Sequence, residues 1–321
     1  MMNVKSFLIA IFSMSCGLAS YGQANLLNAK SPKQIGIKSV AQLNSDNDKP
    51  IAYGYVHDRD ILMSRTTWEI IDLGEKINFP LYFPIDTANV GPERRSLYDV
   101  LIKGIKKGKI TEVYTDSYFN TKKSYKDIDG SLTQISLTNG GREQLNSLGL
   151  DTKFKDLDPD QLTKDQADKL IASGVLNEYI EKNELSSQDV SQYKIKGLWY
   201  FDKRQGELKY RLLGICPVTP DVYTMNSENP DFIELFWVFF PDARETLYSA
   251  KAFNEKNSSM PVSFDQILNS RRFNSMIYKE ENVYGDRDIK DYMKDNAMSQ
   301  LLESDRIKDK IRSFEQDMWN Y

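Results

Sequence analysis

The segment from residue 193 to residue 218 carries the pattern that most restricts the fold of this chain, because it reads as two strands joined by a tight turn. In each half, apolar and charged side chains alternate with a period of two, so one set faces a core and the other faces away. The turn falls at Arg204-Gln205-Gly206. The inward sets are Tyr193, Ile195, Trp199 and Phe201 in the first half and Leu208, Tyr210, Leu212 and Cys216 in the second. The pattern predicts a β-hairpin with one apolar face.

Two more segments favour strands. Residues 232–240 are apolar on both faces except at Glu234, which is typical of a central strand covered on both sides or of a contact surface. Residues 110–114 alternate and are rich in residues that favour strands. Between Pro80 and Pro84, residues 81–83 read as a short extended piece.

Helical signals surround these strands. Residues 96–107 have apolar side chains at i, i+3, i+4 and i+8, and Gly108 follows as a stop. Residues 58–73 are expected to be helical, although Thr66-Thr67 weakens the pattern. Thr163 and Gln166 have the spacing of a capping box. Together the segments predict an α+β fold with a mixed or antiparallel sheet, packing helices and a helical C-terminus.

The first 22 residues resemble a secretory signal peptide. Lys5 precedes an apolar run that is too short to span a bilayer, and small residues at 20 and 22 place the cut before Gln23. Lipid attachment at Cys16 is the alternative, but the aliphatic residue of a lipobox is missing three places upstream. We therefore favour a soluble cleaved product.

The mature chain divides by composition into three predicted parts. Residues 23–50 are polar and are expected to form an extended arm, in which Leu26 and Leu27 are the candidate partner-contact residues. Residues 51–262 are expected to form the α+β core domain and residues 263–321 a mainly helical C-terminal region. Residues 92–130 are basic, whereas 151–190 and 279–321 are acidic, so copies could pair head to tail.

The residues offer little for catalysis or cofactor binding. One histidine excludes sites that need two imidazoles, and a net charge of −4 gives no general case for nucleic acid. His57 is interpreted as a helix-entry residue and Cys216 as a buried strand residue. The calcium-loop pattern at Asp156, Asp158 and Asp160 lacks the glycine and the bidentate glutamate, and Asp158 is read instead as a helix cap. We predict no catalytic, cofactor-binding or metal residues.

Eight segments of the chain together resemble one family. They span residues 46–56, 67–73, 78–82, 95–100, 108–114, 197–208, 210–215 and 278–285, and the longest reads GLWYFDKRQGEL. They are similar to the gliding-motility family GldN/PorN, a periplasmic component of the type IX secretion system of Bacteroidetes. The resemblance covers most of the mature chain and is weakest at 131–190 and beyond 295.

The resemblance implies a non-enzymatic subunit without a cofactor. It implies a ring formed with a GldK/PorK-type outer-membrane lipoprotein, at the periplasmic face of the outer membrane, which meets a GldL/GldM-type motor. It supplies no functional residue to carry over. A periplasmic glycan-binding protein or hydrolase that uses unremarkable carboxylates and aromatics is the competing hypothesis.

We predict that the exported protein begins at Gln23 and carries no lipid, because the cut site follows the apolar run directly. Intact-mass measurement of the protein from the cell envelope checks this. A diacyl or triacyl addition on Cys16 would contradict it.

Overall fold

The computed structural model describes residues 31, 49–86, 90, 94–149, 158–159, 162–224, 230–254, 262–294 and 296–319. Residues 52–254 and 261–321 belong to one compact unit, and the account below concerns that unit. The predicted signal peptide, the candidate contacts Leu26 and Leu27, and two of the calcium-loop acids, Asp156 and Asp160, lie outside the described residues.

An antiparallel sheet of seven strands dominates the described part of the unit. Its strands are β1 (Ile61–Asp72), β2 (Val113–Tyr114), β5 (Gln192–Asp202), β6 (Glu207–Pro220), β7 (Phe232–Glu234), β8 (Trp237–Phe239) and β11 (Met276–Glu280). Their order is β11-β1-β5-β6-β8-β2, with β7 also paired to β6. The fold is α+β, as the sequence predicts.

The predicted hairpin is confirmed as β5 and β6, whose ladder is as long as that between β1 and β5. Its apolar side chains do not share one face, because Leu212 packs in the main core and Cys216 in a separate cluster with Trp68 and Trp237. Its turn ends at Gly206, which has φ +66°, a value that suits glycine because it has no Cβ. The segment 232–240 enters the sheet as the two short strands β7 and β8, and Phe240 already begins a helix. Strand β8 lies inside the sheet, between β6 and β2.

The expected helix at 58–73 is wrong, because most of this segment is β1. The helical spacing placed Leu62, Trp68 and Ile71 on one face. In the structure Leu62 is exposed, and Trp68 and Ile71 pack in different clusters on the sheet. Branched side chains favour the extended backbone, and β1 gains a ladder on both sides, against β5 and β11.

Helices pack against this sheet. They are α1 (Phe79–Tyr82), α2 (Leu97–Lys106), α3 (Tyr125–Leu132), α4 (Asn139–Ser147), α5 (Lys164–Ala172), α6 (Phe240–Ser249), α7 (Phe264–Asn269), α8 (Ile289–Tyr292) and α9 (Ala297–Trp319). The prediction for 96–107 is confirmed, with Ser96 as the cap of α2. Residues 81–83 are not a strand, because Pro80 sits in the first turn of α1, a position that suits proline.

Two predictions concern the residues before α5, and only one of them is confirmed. Thr163 and Gln166 form the predicted capping box, and the helix begins at Lys164. Asp158 therefore does not cap a helix. The backbone near it instead bonds the short strand β3 (Thr133–Leu137), since Leu137 donates to the carbonyl of Pro159. Strand β3 pairs with β4 (Ile180–Glu184) in a second, two-stranded sheet.

The main core joins the strands to five of the helices, α1, α2, α3, α6 and α7. Ile71, Ile195 and Leu212 of the sheet pack with Leu101 of α2 and Phe240 of α6, and all five side chains are buried. The β3–β4 sheet has its own small core with α4 and α5. Two further strands, β9 (Lys251–Ala252) and β10 (Val262–Ser263), form a short pair before α7.

The C-terminal region, expected to be mainly helical, ends in the long helix α9 and also contributes a strand. Strand β11 is the edge strand beside β1, and α9 packs on it through Ile307 and Ile311. The Ser304 hydroxyl of α9 accepts from the amide of Ile277, 2.9 Å away, and so satisfies an amide on the open edge.

Gly197 is required by the close approach of β5 to an aromatic ring of β6. A Cβ at this position would lie 2.1 Å from the hydroxyl oxygen of Tyr210 and 2.2 Å from its Cζ. The ring cannot move freely, because it is stacked between Trp199, at 4.8 Å, and the guanidinium of Arg271, at 4.2 Å. The Tyr210 ring therefore lies across the backbone of its neighbour strand.

We predict that Gly197→Ala lowers the free energy of unfolding by about 1–3 kcal/mol, the usual cost of overpacking. Urea titration measures it. Gly130→Ala is the matched control, since a Cβ there meets nothing within 4 Å in α3, and it should be neutral or stabilising by up to about 1 kcal/mol. Additive effects of Gly197→Ala and Tyr210→Ala in the double variant would contradict the proposed clash.

Candidate interaction surfaces

A buried carboxylate, Glu69, sits in the middle of β1 and anchors the loop before β11. Its side chain is 1% exposed and forms an ion pair with Arg271, with Nη2 to Oε2 at 2.6 Å. The hydroxyl groups of Ser275 and Thr67 also donate to it. A buried charge is tolerated when it is paired and hydrogen-bonded, as this one is.

The guanidinium of Arg271 is also enclosed by aromatic rings. Its Cζ lies 4.2 Å from the ring centroid of Tyr210, 5.0 Å from that of Trp199 and 5.3 Å from that of Phe273. Cation–π contacts of this kind are strongest where water is excluded. Burial raises the pKa of Tyr210 above its usual range, so the phenol stays neutral at physiological pH.

These residues form one side of a cavity of about 520 Å³. Its apolar lining comes from Trp199, Leu208, Phe273, Ile277 and Ile311, and its charged lining includes Glu69, Arg271, Lys308, Arg312 and Glu315. Lys308 donates to the carbonyl of Ser275 at 2.7 Å, and Glu315 accepts from the amide of Leu208 at 3.2 Å. Lys308 and Glu315 are thus partnered, whereas the indole Nε1 of Trp199 is buried without a hydrogen-bond partner among the described residues.

The cavity is poorly suited to nucleophilic catalysis. Ser275 donates its hydrogen to Glu69, but that carboxylate is already ion-paired with Arg271 and accepts a second hydroxyl hydrogen bond, from Thr67. Among the described residues, no cluster of three or more histidine, cysteine or acidic side chains could hold a metal ion.

His57 and Cys216, the two candidates for chemistry in the sequence, do not line this cavity. His57 is exposed and its Nδ1 accepts from the amide of Arg59, which caps a short 3₁₀ turn at Asp58–Asp60, in line with the helix-entry interpretation. Cys216 is fully buried in β6, and burial raises the pKa of its thiol well above the usual value. A protonated buried thiol is not a nucleophile.

A second cluster of contacts, which we call the Tyr53 clamp, lies at the N-terminal end of the compact unit. The ring of Tyr53 lies between two guanidinium groups, at 4.7 Å from Arg211 and 4.1 Å from Arg244. Its hydroxyl donates to Oδ1 of Asn269 at 2.7 Å, and Arg211 donates to the carbonyl of Gly54. Sequence reasoning missed this clamp, because its residues come from four separate segments.

A buried ion pair positions Arg244, one of the two guanidinium groups of the clamp. Arg244 of α6 binds Asp265 of α7 through Nε, at 2.9 Å, and both side chains are at most 10% exposed. Burial raises the pKa of Tyr53, which keeps its phenol neutral between the two cations. The ion pair therefore holds one of the two guanidinium groups that contact the Tyr53 ring.

Comparison with known families gives one result for this chain. A family model described as "Gliding motility associated protein GldN" matches residues 56–320. No curated protein matches the chain. Within the described ranges, no helix is both long enough and apolar enough to cross a bilayer.

We predict that Tyr53→Leu lowers the free energy of unfolding by about 1–2 kcal/mol, since it removes two cation–π contacts and a hydrogen bond. Tyr53→Phe should cost about 1 kcal/mol or less, because it keeps the stacking. Chemical denaturation measures both. Tyr55→Leu is the control, because Tyr55 is 83% exposed. Equal losses for Tyr53→Leu and Tyr55→Leu would contradict the clamp.

Proposed function

Because the chain belongs to the GldN family of gliding motility associated proteins, we propose that it is a non-enzymatic structural subunit of the type IX protein secretion and gliding machinery. The match over residues 56–320 is the observation that carries this proposal, since it spans the compact unit almost completely. The chemistry of the cavity supports it, because the buried acid is neutralised by Arg271.

We place the protein in the periplasm, at the inner face of the outer membrane, after removal of the signal peptide. There it assembles into a ring with a GldK/PorK-type lipoprotein and contacts the GldL/GldM-type motor components. The family resemblance is the support for these partners. The fold adds a rigid scaffold, since the edge of β11 is closed by α9 and leaves little for unspecific strand pairing.

The arm is the part of the chain that we propose makes the partner contact. Residues 23–50 are too polar to build a core, and Leu26 and Leu27 are its isolated apolar anchors. A chain of this length reaches roughly 90 Å when fully extended, at about 3.3 Å per residue. Because the Tyr53 clamp holds its root, binding energy at the anchors would be transmitted to the compact unit.

A periplasmic glycan-binding protein or hydrolase is the alternative, and the aromatic and acidic lining of the cavity is what favours it. The size of the native protein separates the two. A monomer on a sizing column that binds or cleaves a glycan would support the alternative, whereas a large assembly without glycan activity supports the structural subunit.

We predict that deleting residues 25–45 behind an intact signal peptide abolishes co-purification with the lipoprotein partner and leaves the compact unit folded. Residues 25–45 are polar and are predicted to add nothing to a core, so circular dichroism should stay unchanged while the pull-down is lost.

The matched control replaces residues 25–45 with a Gly/Ser sequence of equal length, which keeps the reach and removes Leu26 and Leu27. If this control binds as the full chain does, the arm is only a tether. If the deletion itself still binds and assembles, the arm has no part in the contact.

A further inference from the structure

The loop between β11 and α8 presents two apolar side chains to solvent. Val283 is 93% exposed and Tyr284 is 70% exposed, at the outermost point of the loop. Exposed apolar surface costs free energy, and tyrosine is enriched at protein–protein interfaces. We refer to Val283 and Tyr284 as the tip.

Hydrogen bonds hold the tip in one conformation. The amide of Tyr284 donates to Oδ1 of Asn282 at 2.9 Å, and the amide of Asn282 donates to Oδ1 of Asp286 at 3.0 Å. The hydroxyl of Tyr118 donates to the other oxygen of Asp286, and the guanidinium of Arg287 stacks on Tyr284 at 4.6 Å. Little conformational entropy remains to be lost when such a loop binds.

The cavity beside Arg271 has the complementary properties. Its volume of about 520 Å³ lies within the range of pockets that enclose a small ligand, and its wall is apolar. The loop around the tip is acidic, with Glu280, Glu281, Asp286 and Asp288 against Arg287. The mouth of the cavity carries Lys308 and Arg312 against Glu315. The apolar parts and the charges of the two surfaces therefore match.

The tip does not fill the cavity of its own chain, since neither Val283 nor Tyr284 lines it and Val283 is 93% exposed. Ser275 and Ile277 line the cavity at the beginning of β11, and the tip follows the end of the same strand. Six residues separate Ile277 from Val283, which is roughly 20 Å at about 3.3 Å per residue. A protrusion and a pocket at opposite ends of one strand produce a head-to-tail contact between copies.

We propose that the Val283–Tyr284 tip of one copy docks into the Arg271 cavity of a second copy of this chain. The inference deepens the self-association part of the proposed function and rests on it. Val283 and Tyr284 contact the apolar wall formed by Leu208, Ile277 and Ile311, and Glu281 meets Arg312 at the mouth.

Two variants of the mature chain test this contact by mixing. The tip variant, Val283→Asp with Tyr284→Asp, keeps an intact cavity. The cavity variant, Lys308→Glu with Arg312→Glu, keeps an intact tip and repels its acidic loop. Lys308 is half-buried and donates to the carbonyl of Ser275, so circular dichroism with thermal unfolding verifies the fold of both variants.

Sedimentation velocity should show concentration-dependent association of the wild type beyond the dimer, and monomers for each variant alone. An equimolar mixture of the two variants should form a heterodimer and nothing larger, because it contains one functional tip–cavity pair. The control variant Leu148→Asp with Leu176→Asp removes two apolar side chains elsewhere, each about half exposed, and should associate as the wild type does.

A wild type that stays monomeric, a tip variant that associates normally, or a mixture that does not pair would each overturn the docking contact. Normal secretion by cells that lack the chain would instead overturn the proposed function. The two proposals therefore fail in separate experiments.

Discussion

The buried carboxylate of Glu69 is the group on which the arrangement around β1 and β11 depends. Its partner, Arg271, is 202 residues away in the chain, and the pair joins the central strand to the loop that leads into β11. Removing one member of a buried pair typically costs about 3–5 kcal/mol, because the other charge remains uncompensated. The position of that loop in turn sets where β11 begins and where α9 packs on it.

Aromatic side chains extend this electrostatic centre across the sheet. Tyr210 stacks on Arg271 and lies over Gly197, so one small residue on β5 allows a ring of β6 to reach a cation from a distant loop. Similar cation–π contacts occur on the opposite face of the sheet. Lys196 and Lys279 lie about 5 Å from the rings of Trp68 and Tyr118.

Three surfaces that could engage partners follow from this framework. The Tyr53 clamp joins residue 53 to α6 and α7. The tip follows β11, and the cavity is lined in part by α9. Each depends on residues that are distant in sequence. The structural subunit that we propose would need several directed contacts of this kind.

Elements with strong local signals could be predicted from the chain alone. Alternation across 193–218 predicted the hairpin, helical spacing predicted α2, and the capping box at Thr163 predicted the start of α5, because these depend on neighbours within one turn or one strand. The resemblance carried by eight short segments predicted the family.

The remaining features depend on contacts between residues that are far apart in the chain. Residues 58–73 have apolar positions that fit a helix, and only pairing with β5 and β11 makes the segment a strand. The Glu69–Arg271 pair, the Tyr53 clamp and the cavity were invisible for the same reason. Their members are far apart in the chain, and no spacing rule links a carboxylate on one strand to a guanidinium that reaches it only after the sheet has formed.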